Sequence, residues 1–504
     1  MFTVPDTVEE CDIRVAKSWE QFKEVKANSV ELRDHFLDLL IREAETKKDT
    51  KSKKKARELR GIRKNEHSRD SYKKIQFSTG KGQSKGVKFI HHEREDGTIE
   101  TITDKHRMVE LIMETNKAKL TQSNTGDIPL RQQPLLDLLT KYDYETWESF
   151  LRGEIEIPDG LEEGMKAWLE VFQGMDLSQD VDMVCDHKEL KRAWSKVKEN
   201  TSSLPNPCHY GTMKTMKWCQ MAAKFHTIMA NIPLATGYSP TSWRHDIEAM
   251  LIKKENEWRP DKLRRIGLMH PSFNMNNRRI GRTAMKAAEE RGLLAEEQFG
   301  SRKNRSAEKH ALNKRLMLDI MRVLRTPGVL SANDAKSCYD RILHFATYVS
   351  LRRVGIPKNT VISMIHTLRL TEHKVRTAYG DSETSYGGEW FEDPHGASQG
   401  NAAGPAICAL VSSPLLDILR QHGYGAKFIS PIKKEFFHMC GFAFVDDTDT
   451  IQTANPGTSS EELIQTTQEE LDLWECLIRS TGGAIVGEKS DFTVINWIWR
   501  DGKP

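Results

Sequence analysis

The stretch Gly441-Phe442-Ala443-Phe444-Val445-Asp446-Asp447-Thr448-Asp449-Thr450 constrains this chain more than any other. It opens apolar and alternating, meets two adjacent carboxylates and runs on into Thr, Ile and Thr. That pattern predicts a strand, a tight turn and a second strand. A hairpin with aspartates at its tip holds carboxylates rigid, close together and accessible. Such a tip suits a divalent cation, because Mg2+ takes few protein carboxylates and fills its shell with water and phosphate. Asp-Asp is also an ordinary turn dipeptide, so the weight of the stretch depends on what lies upstream.

Upstream, Val329 to Arg341 reads as an apolar strand running into Asp334, with a helix starting near Tyr339. If the Asp334 strand pairs beside the Asp446-Asp447 hairpin, three carboxylates converge. That arrangement would hold two Mg2+ ions across a phosphate, one activating an attacking 3′-hydroxyl and the other neutralising a pyrophosphate leaving group.

The rest of the chain sets bounds. Its 504 residues suffice for two to four domains, and 38% hydrophobic content is enough for sizeable cores. A net charge of +3 says little as a total, so the distribution matters more. No apolar run approaches a membrane span, and Met1 to Glu10 does not read as a signal peptide. Eight scattered Cys without a CxxC pair suggest a reducing compartment. The expectation is therefore an intracellular chain, nuclear or cytoplasmic and not secreted, with no membrane partner. Cys185, His187, Cys208, His209 and Cys219 could be assembled into a zinc site only on paper, since structural zinc sites usually show tighter paired spacing.

Along the chain, Val15 to about Glu45 has helical spacing. Lys47 to Lys74 is strongly basic and reads either as a solvated helix face or as a nucleic-acid contact or nuclear address. Gly80 to Gly86 is a break, Val87 to Ile102 a hairpin around Asp96-Gly97, and Thr103-Asp104 a cap for a helix through about Leu120. Pro129 to about Gln220 looks mostly helical, with Trp147, Phe150, Trp168, Phe172 and Trp194 as core. A helix over Thr212 to Ala230 and a loop over Pro233 to Pro240 follow. The next segment, Trp243 to Ile266, is basic and places Lys253-Lys254 and Lys262, Arg264 and Arg265 about ten residues apart, as a hairpin projecting cations over an anionic ligand would. A helix is expected from about Ala307 to Leu324.

The order of these motifs resembles the reverse transcriptase family, in particular the RNA-directed DNA polymerases of non-LTR-like eukaryotic retroelements. Asp334 with Tyr339-Asp340 matches the family's first palm motif. Gly396-Ala397-Ser398-Gln399-Gly400-Asn401 resembles the second, Phe444-Val445-Asp446-Asp447 the third, and Thr481-Gly482-Gly483-Ala484 with Glu488-Lys489 the fourth. Lys262 to Ile266 and Gln298 to Ser306 resemble two finger blocks. The resemblance covers about Trp243 to Lys503, and six motifs in order are far more specific than one.

The resemblance implies an α+β fold: a right-hand polymerase with a ferredoxin-like antiparallel palm and fingers, behind a basic, mostly helical N-terminal region, the thumb absent or truncated. The implied division is 1–127 N-terminal region, 128–235 helical connection, 236–310 fingers and 311–504 palm. It implies Asp334, Asp446 and Asp447 as metal ligands for two Mg2+ ions, with Mn2+ as a substitute and the Ala335 carbonyl as a further ligand. Lys253, Lys254, Lys262 and Arg264 would bind the triphosphate, and Gln399 and Gly400 would sit against the incoming nucleotide. Tyr339 would exclude a 2′-hydroxyl, and Lys489 would protonate pyrophosphate. The implied partners are an RNA template, a DNA or RNA primer and deoxynucleoside triphosphates, with the oligomeric state open. Ser398 and Arg265 stand where the family usually has Pro, and Gly487 and Asp491 to Thr493 are less apolar than usual. Two other readings stay open: a catalytically inactive, nucleic-acid-binding relic, and an RNA-directed RNA polymerase.

Overall fold

The computed structural model describes residues 29–497 apart from 48, 80–85, 200, 203, 205–209, 390, 392 and 431. The expected break at Gly80 to Gly86, the start of the first helix, and Cys208-His209 lie largely outside the described residues. The fold is α+β. Chain contacts group it into two compact units, each drawn from three segments.

The first unit comprises 1–117, 182–277 and 358–392. Helix Ser29–Thr46 buries Leu37, Leu40, Ile41 and Ala44, and helix Thr50–Thr79 buries Ala56, Leu59 and Ile62. Spacings of three and four residues place each set on one helical stripe, leaving Lys51, Lys53, Lys54 and Lys64 of the second helix outward. The Asp96-Gly97 hairpin forms as expected, pairing Ile90–Glu93 with Ile99–Ile102, and Asp104 Oδ1 accepts from the Arg107 amide at 2.8 Å at the head of helix Lys105–Thr121. A five-stranded sheet is built around His245–Leu251. Arg264–Met269 pairs antiparallel on one side and Glu372–Thr377 parallel on the other; Gly380–Asp381 and Tyr386–Gly387 pair with the last.

One expected boundary moves. The helix foreseen over Thr212 to Ala230 is interrupted around Met216–Trp218, and Gln220–Thr236 then continues through Pro233, where a loop was expected. Its end is capped by tertiary partners: Thr360 Oγ1 donates to the Leu234 carbonyl at 2.9 Å and Asn359 Nδ2 to that of Ala235 at 2.8 Å. These bonds satisfy carbonyls that a helix end leaves open.

The second unit comprises 118–181, 278–357 and 393–504. Its centre is a four-stranded antiparallel sheet in the order Gly441–Phe444, Asp447–Thr453, Gly328–Asn333, Asp491–Ile495. On one face Phe442, Ile451 and Leu330 pack with Met317 and Met321 of helix Ala307–Leu324. Helix Ser460–Ser480 also contacts the two middle strands and buries Trp474 and Leu477. The expected aromatic core is present: Trp147, Phe150, Trp168 and Phe172 are at most 2% exposed, and Trp147 meets Phe345 and Tyr348 edge-on at 5.3 and 5.1 Å. Beside Tyr348, whose hydroxyl donates to Glu148 at 2.6 Å, the Arg352 guanidinium grips the same buried carboxylate through Nε and Nη2 at 2.7 and 3.1 Å. Among the described residues no helix is long and apolar enough to cross a membrane.

Glu470, on helix Ser460–Ser480, is fully buried with both carboxyl oxygens unpartnered. Burial raises its pKa from 4.5 to about 8. The folded state therefore holds a proton that the unfolded chain has released, so stability falls as pH rises from the lower value to the higher. Thermal melting of Glu470→Gln against the parent should show the variant's advantage widening over that range, by up to about 1.4 kcal/mol per pH unit. A constant difference would place Glu470 in contact with a compensating charge.

Candidate active site

The third motif folds into the expected hairpin, with the aspartates at different positions. Phe444 pairs with Asp447, so Val445 and Asp446 form a two-residue turn and Asp447 opens the second strand. Val445 has φ +64°, the left-handed conformation that such turns demand and that a β-branched residue rarely adopts. The turn is held from outside. Gln298, fully buried, accepts at Oε1 from the amides of Val445 and Gly300 at 3.0 and 2.8 Å, and donates from Nε2 to Ser412 Oγ and the Val445 carbonyl at 3.0 and 3.3 Å. The Phe299 amide donates to the Ala443 carbonyl at 2.8 Å, and the Ala443 amide to that of Glu297 at 3.0 Å. Gly300 is required here: a Cβ would lie 2.3 Å from the Val445 nitrogen.

Asp334 meets this hairpin through the ladder. The ladder ends at the pair Thr448–Asn333, so Asp447 and Asp334 are the next residues along the two neighbouring strands, and Asp334 is close enough to act on the Asp447 carboxyl. Asp447 and Asp449, two residues apart, share a sheet face. Partial burial, then the charges of Asp446, Asp334 and Asp449, push the Asp447 carboxyl above the usual carboxylate range. Two cations answer this charge: Lys489 Nζ sits 2.9 Å from Asp334 Oδ2, and Lys314 Nζ 2.6 Å from Asp449 Oδ2. The backbone after Asp334 is pinned to the fourth motif, the Val486 amide donating to the Asp334 carbonyl and the Lys336 amide to that of Ala484. In that pattern Ala335 is the non-hydrogen-bonded residue opposite Ile485, so its carbonyl points away from this partner. The aspartates act on one another electrostatically without reaching the 4.8 Å ligand spacing of a closed metal group, and such a concentration of carboxylates would suit a hard divalent cation.

Tyr339 lies in the short helix Cys338–Arg341 and is half-buried. Its ring faces the head of helix Gly404–Gln421, where a Cβ on Gly404 would lie 3.0 Å from Cε1. Burial, with Cys408, Asp446 and Cys338 nearby, raises its hydroxyl above the usual range. The second motif is tied to it: the Ala397 amide donates to the Tyr339 carbonyl at 2.7 Å. Gly396 packs so closely that a Cβ would meet that same carbonyl at 2.6 Å. Gln399 is half-buried and Gly400 exposed in the loop that follows. Ser398 has φ +60°, which the pyrrolidine ring forbids, so the missing Pro reflects a different backbone path.

The remaining expected residues belong to the first unit. Lys253, Lys254, Lys262 and Arg264 are all exposed at the loop end of the hairpin in which Leu251 pairs with Arg264. Arg265, the other departure from Pro, is buried against Glu248 at 2.6 Å. Around that pair lies a group that sequence reading missed. Asp246, Glu248 and His373 are buried with ligand atoms within 4.8 Å of one another, a spacing compatible with a metal ion. Their lone pairs are largely engaged by donors: His373 Nδ1 bonds Asp246 at 2.7 Å, and Tyr386 and Asn116 donate to Glu248 at 2.7 and 2.8 Å. Burial disfavours the His373 cation, but Asp246 and Glu248 outweigh it and raise the pKa. No spacing in the sequence links residue 373 to 246 and 248.

Residues 252–482 match the sequence model of the reverse transcriptase (RNA-dependent DNA polymerase) family. The chain carries a reverse transcriptase domain. No curated protein matches the chain. Within the reverse transcriptase domain, sequence reading placed Gln298 in a finger block and missed its hold on the aspartate turn. The available signal was Gly300, two residues on, which only a close backbone approach explains.

Replacing Gln298 with Ala leaves the Val445 amide without its partner. We expect a loss of about 1–3 kcal/mol in denaturant titration, and slower primer extension with nucleic-acid affinity unchanged. Extension at the parental rate would show that the turn holds its shape without the clamp.

Proposed function

We propose that the protein is an RNA-directed DNA polymerase of a non-LTR-like eukaryotic retroelement, adding deoxynucleotides to a primer 3′-hydroxyl on an RNA template. The observation that supports this reading is the strand ladder ending at Thr448–Asn333, which leaves Asp447 and Asp334 as the next residues on neighbouring strands, with Asp446 in the adjoining turn. Asp334, Asp446, Asp447 and the Ala335 carbonyl would hold two Mg2+ ions, or Mn2+. When bound, such ions supply charge neutralisation and nucleophile activation for in-line phosphoryl transfer.

The chain's own residues supply the rest. Gln298 and Gly300 fix the turn, and Lys489, 2.9 Å from Asp334, would give a proton to departing pyrophosphate. Gln399 and Gly400 would border the nucleotide base and sugar. Lys253, Lys254, Lys262 and Arg264, exposed and clustered, would hold the triphosphate. In this reading 311–504 is the palm of a right-hand polymerase, 236–310 the fingers, 128–235 a connection and 1–127 a basic N-terminal region.

Primer extension on an RNA template with Mg2+ tests the assignment. Asp446→Asn and Asp447→Asn should each lower the rate by about a hundredfold or more, while gel-shift binding persists. Binding without extension in the parent chain would make it a nucleic-acid-binding relic. Tyr339→Ala should retain deoxynucleotide addition and raise ribonucleotide incorporation about tenfold or more, each factor of ten being about 1.4 kcal/mol. Equal use of both sugars by the parent would favour an RNA polymerase. Loss of both activities in the variant would make Tyr339 structural.

A further inference from the structure

Outside the matched domain, the first unit contains a basic cleft of about 710 Å³. It lies where the end of helix Ser29–Thr46 and the head of Thr50–Thr79 meet the end of helix His187–Ser195 and the turn Met216–Trp218. Seven of its eleven lining residues are Lys or Arg. Three of these are locally paired: Lys47 and Lys55 with Glu43 at 2.7 and 3.4 Å, and Lys217 with Glu58. Lys51, Lys191, Arg192 and Lys196 have no acidic partner among the described residues, and all but Lys191 are exposed.

The other lining groups narrow the ligand. Asp49, the one acid, is engaged as the helix cap, accepting from the Ser52 amide and hydroxyl at 2.9 and 2.6 Å. The Ser195 hydroxyl donates to the Lys191 carbonyl at 2.7 Å. The Trp218 ring carries the ammonium groups of Lys217 and Lys55 at 4.6 and 5.9 Å. With these groups engaged locally, cations are the cleft's main means of recognition. Cations spread over two helices suit successive phosphates better than one compact anion, which would call for convergent, buried donors.

We propose that this cleft binds the phosphodiester backbone of a nucleic-acid strand, without reading its sequence, as a second contact beyond the polymerase domain. The proposal deepens the polymerase reading and rests on it for the kind of ligand. The test uses the full chain and fluorescence anisotropy with labelled single-stranded RNA, single-stranded DNA and duplexes across a salt series. The combined variant Lys51→Ala, Lys191→Ala, Arg192→Ala and Lys196→Ala should raise Kd about tenfold or more at low salt. It should flatten the slope of log K against log salt by about 3 for single strands, at about 0.7 per lost phosphate contact. Which nucleic acid shows the larger loss identifies the strand.

A charge-matched control, Lys166→Ala, Lys286→Ala, Arg315→Ala and Lys433→Ala, should leave the slope nearly unchanged. A thermal melt checks that the cleft variant folds. Unchanged Kd and slope in the cleft variant would overturn the proposal, as would an equal effect in the control. So would an equal loss for labelled poly-glutamate, which would assign the cleft to an acidic protein. Extension is measured on the same preparations. A flattened slope without parental extension supports the cleft and rejects only the polymerase reading; normal extension with an unchanged slope does the reverse.

Discussion

Like charges held close together repel, and Asp334 and Asp447 stand just past the last pair, Asn333–Thr448, of their neighbouring strands, near enough for the Asp334 charge to act on Asp447. Asp446 and Asp449 add to that repulsion, and the surrounding ladder, clamp and cations offset it. The ladder continues from Asn333–Thr448 to Gly328–Thr453, so the pairing energy of the whole strand holds its charged end in place. Gln298 satisfies the polar backbone of the turn from inside the core, and Gly300 lets it come close enough to do so. Lys489 places a positive charge on Asp334. An anionic cluster that is held rather than dispersed has the electrostatic character of a cation site.

The same logic appears in the two buried ionic networks, with a different outcome. In the first unit Arg265, Glu248, Asp246 and His373 tie three strands together, and in the second Arg352 joins Glu148 and Asp180 at the aromatic core. In these networks each charge has opposite charges and donors in contact. Such pairs add little net stability over an apolar core, but losing one partner is costly. They hold the elements in register, whereas the aspartate cluster keeps unsatisfied charge near solvent.

The departures from the family pattern also have local physical reasons. Ser398 adopts a conformation closed to Pro, and Arg265 completes a buried pair. The polar residues of Asp491–Ile495 lie on an edge strand of the sheet, where exposed polar side chains discourage further pairing. None of these changes touches an oxygen of the aspartate cluster.

Local periodicity and turn chemistry in the sequence determined the aspartate hairpin, the strand ending at Asp334, the Asp96-Gly97 turn and the helix Ala307–Leu324. Each depends on residues within a few positions of one another, where backbone preference and burial pattern agree. The aromatic core was legible for a similar reason, since large rings in helical segments have nowhere favourable to go but inward. Only the tertiary structure decided which strands are neighbours, and therefore that residues 334 and 447 lie near one another. It alone carried helix Gln220–Thr236 past Pro233, by capping its end from Lys358–Arg369. It alone brought Gln298 to the turn and His373 to Asp246 and Glu248. These pairings span on the order of a hundred residues, and loop closure over such lengths leaves no local trace in the order of amino acids.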